Sequence, residues 1–289
     1  MEKILVTGAS GHLGNIVVEH LLKQLPPEQI SVLVREEQKA LHYKEKGIDV
    51  RVGNYHDPAS LVNAMSGMTR VLLISSSDFN NRFGQHKNVI DAAKQAGVKH
   101  LLYTGVSMKD IEASPLKPLL HDHFKTEEYI KQQGFSYTFL RNTLYADIIP
   151  MFLGANVLET GIFFAAGEGK VAFATRQDLG EGIAAILAKK ETESKVYHLS
   201  STQAHSFADI ARMLTELSGK DVNYVSPDKE TFEQTLKQFG LPEEIVLMSI
   251  LFADGMKHQD FEQTDDTLEK LLGHPQTPLS IFLKETFQL

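Results

Sequence analysis

The chain has 289 residues, 29 Lys and Arg against 37 Asp and Glu for a formal charge of −8, and no cysteine. That length buries a full core without cross-links, and the missing thiols exclude a disulfide framework, a cysteine-ligated metal and a cysteine nucleophile. The acidic balance argues against attraction to nucleic-acid backbone, and the longest apolar stretch, residues 245–253 broken only by Ser249, is too short to cross a bilayer. The opening "MEKILVTGAS" has no charged leader or cleavage site, so a cytoplasmic protein is expected, with no membrane or nucleic-acid partner.

Residues 4–7 form a short apolar strand, and Leu13, Ile16, Val17 and Leu21 then share one helical face until Pro26 and Pro27 end it. The unit recurs as "ISVLV" (30–34), a polar helix, "VRVG" (50–53) and "DPASLVNAM", where Asp57 caps a helix and Pro58 takes its first position. "RVLLIS" (70–75), a helix carrying Val89, Ala92, Ala93 and Ala96, "HLLYT" (100–104), a helix near 119–133 and "SYTFL" (136–140) continue the series. Strands alternating with helices predict a doubly wound α/β fold, a parallel sheet with helices on both faces. After Asn142 come a helix, a glycine-rich pair over 161–174 that reads as a short hairpin, and a helix after Arg176. "KVYHLS" (195–200) reads as a further strand of the main sheet, Ser206 with Asp209 as a capped helix start, and Pro242, Glu243 and Glu244 as another. The segment behind Pro242 is apolar all round and is expected to be buried on several sides, as core, as pocket lining or at a subunit contact.

Gly8, Gly11 and Gly14 sit where the first strand passes into the first helix. There Gly8 permits a tight bend, Gly11 lets main chain approach a pyrophosphate, and Gly14 allows close packing of the helix on the strand. The helix terminus, with Ser10 and Leu13 in the loop, then offers unpaired amides to phosphate. His12 lies inside this cradle, either as part of it or as an exposed loop residue. Where an NAD enzyme carries an acid at the end of the second strand, this chain has Arg35, whose guanidinium suits a 2′-phosphate and favours NADP(H) over NAD(H). The alternative gives the ribose to Glu36 or Glu37. Ser75, Ser76 and Thr104 end the fourth and fifth strands, where open α/β sheets bind ligands.

None of the eight tyrosines is followed by lysine at the fourth position, so the usual proton-donating pair of short-chain dehydrogenases is missing. "VTGASGHLG", "GNYHDPASL", "VLLISS", "HDHFKTEEYIKQQGFSYTFLRNTLYAD" and "TRQDLGEGIA" together resemble the NmrA-like atypical branch of the short-chain dehydrogenase/reductase superfamily, notably its quinone oxidoreductase and triphenylmethane reductase types. The resemblance implies a Rossmann-like unit over 1–150, joined by segments near 171–200, that holds NADPH. It also implies a smaller, mostly helical part over 151–289 that closes on a flat conjugated acceptor. Hydride transfer to such an acceptor depends chiefly on proximity and orientation, which makes the missing pair intelligible. Asn54 and Tyr55 are then expected beside the adenine, unless they only form a turn. Asn142 and Tyr145 belong beside nicotinamide and substrate, with Tyr145 either a donor to the acceptor or a packed aromatic. His123, near the superfamily lysine position, is expected to shuttle protons. His121 and His123 point apart on one helix, so no metal is expected. A non-catalytic NADP(H)-sensing regulator of the NmrA type, working through a protein partner, is the alternative, and a homodimer is allowed for.

Overall fold

The computed structural model describes residues 2–189 and 192–289. Seven strands form one sheet: β1 (Ile4–Val6), β2 (Ile30–Val34), β3 (Asp49–Val52), β4 (Arg70–Leu73), β5 (His100–Val106), β6 (Ser136–Asn142) and β7 (Lys195–Leu199). Their order is β3-β2-β1-β4-β5-β6-β7, and every neighbouring pair is parallel. The strand order reverses between β1 and β4, which opens a crevice at the carboxyl ends of the strands.

Strand periodicity explains why both faces are covered. Leu5, Val71, Leu73, Leu101 and Phe139 point to one side and pack with the helix Pro58–Met65 and with α2 (Arg82–Gln95). Ile4, Val6, Leu72, Leu102 and Leu140 point to the other and pack with α1 (His12–Leu21) and α4 (Arg176–Ala188). Alternate residues are thus buried on opposite sides, and the strands read as continuous apolar runs. At position 180 a Cβ would stand 2.4 Å from Ile16 Cγ2, so α4 approaches α1 as closely as only glycine allows. Between α2 and α4, α3 (Lys117–Gln132) links β5 to β6. Asp57 accepts from the amides of Ala59 and Ser60 at 3.1 and 3.2 Å, and Ser206 and Asp209 close a reciprocal capping box.

A third core joins residues 106–120 to the helices beyond residue 145, and covers the end of the sheet where the crevice opens. Here two expectations fail. The 161–174 segment is no hairpin: Ile162–Phe163 pairs in parallel with Tyr224–Val225, and Lys170–Val171 pairs antiparallel with His205–Ser206. Each half finds its partner in the later chain, which a local glycine pattern does not reveal. The helix α5 (Glu243–Lys257) is not buried all round either. Val246, Ile250, Ala253 and Met256 enter the core, while Ile245 and Leu247 are exposed. None of 245–252 lines the crevice. No helix among the described residues is long and apolar enough to cross a membrane.

Candidate active site

The crevice is a cleft of about 790 Å³ lined from the end of β2, across the glycine turn, to the ends of β5 and β6. Its middle is main chain. Gly8 turns with φ +60°, and the Gly11 amide donates to the Gly8 carbonyl at 2.9 Å. A Cβ at position 14 would lie 2.3 Å from the Gly8 oxygen, and one at position 11 would lie 3.2 Å from it. Gly14 is therefore required by the helix resting on its own entry turn. Gly11 caps α1 without any side-chain cap, and no acid occupies the first turn. The first-turn amides are left for a ligand, with the positive end of the helix dipole behind them. Ser10 and His12 stand exposed at the mouth, whereas Leu13 is buried and offers only main chain. From behind, the fully buried Tyr43 hydroxyl lies 2.8 Å from both the Ala9 carbonyl and Asn15 Oδ1, fixing the turn.

At one end, Arg35 is exposed on the rim and forms no salt bridge among the described residues. Lys39 lines the same rim and is paired with Glu36 at 2.8 Å. Sequence reading missed Lys39, although a second cation four residues after Arg35 was visible. Asn54 is exposed and its Oδ1 accepts from the His56 amide at 3.1 Å, so it builds the turn as well as lining the cleft. The Tyr55 hydroxyl donates to the Ile74 carbonyl at 3.0 Å and meets Thr7 Oγ1 at 2.5 Å. It ties β1 to β4, and only its ring faces the cleft.

Ser75 and Ser76 line the centre, but Thr104 does not. Strand β5 runs on to Val106, so Gly105 and Val106 reach the edge while the buried Thr104 accepts the Ser75 amide at 2.8 Å from below. It is a support, not a contact.

At the far end, Asn142 Nδ2 donates to the Tyr145 oxygen at 3.3 Å, which leaves the phenol's own O–H for the cleft. Asn142 Oδ1 is buried without a partner. Arg176, anchored through its amide to Asp147 Oδ2 at 2.9 Å, lies over the Tyr145 ring 4.8 Å from the centroid. Burial raises the Tyr145 pKa, so the phenol stays protonated. His123 lines this end too, with Nδ1 2.8 Å from the Tyr103 hydroxyl. Burial, aided by Arg82 and His86, holds its pKa well below 6.5. The imidazole is therefore neutral at pH 7. His121 turns away towards Glu112, 3.5 Å off. Among the described residues no group of three or more His, Asp or Glu could hold a metal.

These features suit a dinucleotide. An uncapped helix amino terminus above a glycine turn leaves main-chain amides that a ligand phosphate can meet, in a cleft long enough for two nucleotides. Residues 1–279 match the NmrA-like family. The chain belongs to this family. Quinone oxidoreductase 2 of Escherichia coli strain K12, to which the NmrA-like chain is similar, is 39% identical over 287 residues, 99% of each chain. A solved structure of NADPH-dependent quinone oxidoreductase from Escherichia coli, complexed with NADPH, gives a TM-score of 0.92 at 37% identity, covering 98% of this chain and 99% of that one. Triphenylmethane reductase of Citrobacter sp. gives 0.90 at 37% identity over 99% and 100%.

Proposed function

We propose that this chain is an NADPH-dependent oxidoreductase that passes hydride to quinones or similar conjugated acceptors, azo and triphenylmethane dyes among them. The observation that carries this reading is the cleft itself, in which a glycine turn with free helix amides runs without interruption to the protonated phenol of Tyr145, held by Asn142. The kinship to an oxidoreductase at 39% identity over nearly the whole chain supports catalysis over a purely regulatory role.

In this reading Gly8, Ser10, Gly11, His12, Leu13 and Gly14 hold the pyrophosphate, with Ser75 and Ser76 beside the central phosphates and ribose. Arg35, with Lys39, takes the 2′-phosphate, while Asn54 and the ring of Tyr55 flank the adenine. Asn142 stands beside the nicotinamide and orients its ring or carboxamide, while its Nδ2 holds Tyr145. Residues 1–150 supply most of the cofactor site, and 151–289 close the acceptor side and add Arg176. The protein works in the cytoplasm, the compartment that a cysteine-free chain fits.

NADPH, when bound, supplies a proton with two electrons to the acceptor, and one further proton from water completes a hydroquinone. Tyr145 donates a hydrogen bond to the acceptor oxygen. Arg176, its guanidinium paired with Asp147 at 3.4 Å, lies over the Tyr145 ring and holds it in place.

Loss of absorbance at the NADPH band, followed with benzoquinones, naphthoquinones, azo dyes and triphenylmethane dyes beside matched NADH reactions, tests the reading. Enzyme-dependent consumption, faster with NADPH, is expected. Tight NADPH binding with no consumption across the panel overturns it in favour of a nucleotide sensor.

A further inference from the structure

Behind the acceptor end lies a chain of buried polar groups that the reading above leaves unused. The Ser76 amide donates to His86 Nε2 at 2.9 Å. That nitrogen is therefore unprotonated, and the proton of the neutral His86 ring sits on Nδ1. His86 Nδ1 lies 2.9 Å from Thr126 Oγ1 and 3.5 Å from the Tyr103 oxygen, and the Thr126 hydroxyl gives its own proton to the Asp122 carbonyl at 2.7 Å.

The short contact of the Tyr103 hydroxyl is the one to His123 Nδ1, at 2.8 Å. With His86 already a donor on its side, and with the Thr126 oxygen that Tyr103 also meets taken up by the His86 proton, the nearest open acceptor for the Tyr103 O–H is His123 Nδ1. His123 Nδ1 is then the acceptor and Nε2 keeps the ring proton. His123 lines the cleft, and Nε2 is not among the buried polar atoms that lack a partner, so the N–H opens into the cleft. All three side chains are buried, and Arg82, whose Nε donates to the Ser76 carbonyl at 3.0 Å, closes the same loop.

We propose that Tyr103, held by His86, is a positioning residue that fixes His123 as its neutral Nε2–H tautomer and so presents a permanent hydrogen-bond donor to the acceptor. The proposal rests on the reductase reading. When hydride, one proton with two electrons, leaves NADPH for a quinone, the products are NADP⁺ and the hydroquinone monoanion. Water then delivers the second proton. His123 keeps its own proton throughout and stabilises the oxygen on which negative charge grows, beside the phenol of Tyr145. A donor already oriented in a low-dielectric site needs no reorganisation as the charge appears. The Ser76 amide links this donor to the loop after β4, which lines the cofactor part of the cleft.

The full-length protein labelled with 15N-histidine gives the tautomer directly from long-range 1H–15N spectra, His123 being assigned by its loss in His123→Gln. The wild type should show the Nε2–H form, with and without NADPH. In Tyr103→Phe the His123 signals should move towards the Nδ1–H form, while kcat with benzoquinone falls about tenfold and the KM for NADPH stays within about twofold. His123→Gln, which keeps a donor, should retain more kcat than His123→Leu. A wild-type Nδ1–H tautomer overturns the proposal, as does a His123→Leu variant with unchanged kcat. If Tyr103→Phe does not fold, the wild-type spectrum and the two His123 variants still decide the matter. A wild type with the Nε2–H tautomer that consumes no NADPH with any quinone refutes the reductase reading and, with it, the catalytic role of the donor.

Discussion

At the glycine-turn end of the cleft, the groups offered to a ligand are chiefly main-chain amides of a single turn, residues 8–14. At the Tyr145 end they are side chains drawn from α3, the end of β6 and the start of α4, as distant in the chain as His123 and Arg176. The first kind of site is made by backbone geometry and fails when any bulk enters it. The second is made by packing, and its chemistry depends on what stands behind each side chain: Asn142 behind Tyr145, Tyr103 behind His123. A backbone site tolerates almost no change at its glycines, whereas a side-chain site is tuned one hydrogen bond at a time.

That contrast fails or sharpens under four measurements. Gly14→Ala should have the largest effect, because its Cβ would stand 2.3 Å from the Gly8 oxygen. NADPH affinity, followed by fluorescence titration, should fall by about 1,000-fold or the fold be lost by several kcal/mol; wild-type affinity would mean that the turn is not a rigid cradle. Arg35→Glu comes next. It should weaken NADPH by about 100-fold while NADH changes by less than about threefold, and equal losses would remove Arg35 from the 2′-phosphate.

The third measurement concerns the histidines at the Tyr145 end. The unfolded chain binds protons at its imidazoles near 6.5, but burial holds His86 down to about 3 and His123 well below 6.5. Their contribution is fully present above 6.5 and is lost as pH falls, by at most about 1.4 kcal/mol per pH unit for each ring. Burial shifts His20, His198 and His205 the same way, so a His86→Gln variant is needed to isolate one share. Its denaturation midpoint should fall less steeply than the wild type's between pH 7 and 5. Parallel curves would show that His86 takes up protons in the folded state. The smallest effect is expected for Tyr145→Phe, a roughly tenfold loss of kcat with NADPH affinity retained. Unchanged kinetics with several quinones would leave Tyr145 as packing alone.

Much of this architecture was legible in residue order. The alternation of "ISVLV", "RVLLIS" and "HLLYT" with helical patterns named a parallel sheet, because strands buried on both faces need no polar alternation. The glycine spacing named the cradle, because all its parts lie within seven residues. The position of Arg35 at the end of β2 was readable for the same reason, and it stands exposed on the rim of the cleft. Thr104 was misread by the two residues that β5 runs on, which exchanged a contact for a support. Residues 161–174 were misread as a hairpin because their partners, Tyr224–Val225 and His205–Ser206, lie far downstream.

The sequence by itself thus determined the fold class, the glycine turn that lines the cleft and the absence of the usual tyrosine and lysine pair, since each is a matter of local spacing. Only the tertiary structure decided that Tyr55 spends its hydroxyl joining β1 to β4, that Tyr43 braces the turn, and that Arg176 covers Tyr145. It also decided that His123 is a buried neutral ring backed by Tyr103 and His86 rather than a solvated base. Protonation and hydrogen-bond partnership depend on what folding brings within 3 Å or so and on how much water it removes, and neither is written in the order of residues.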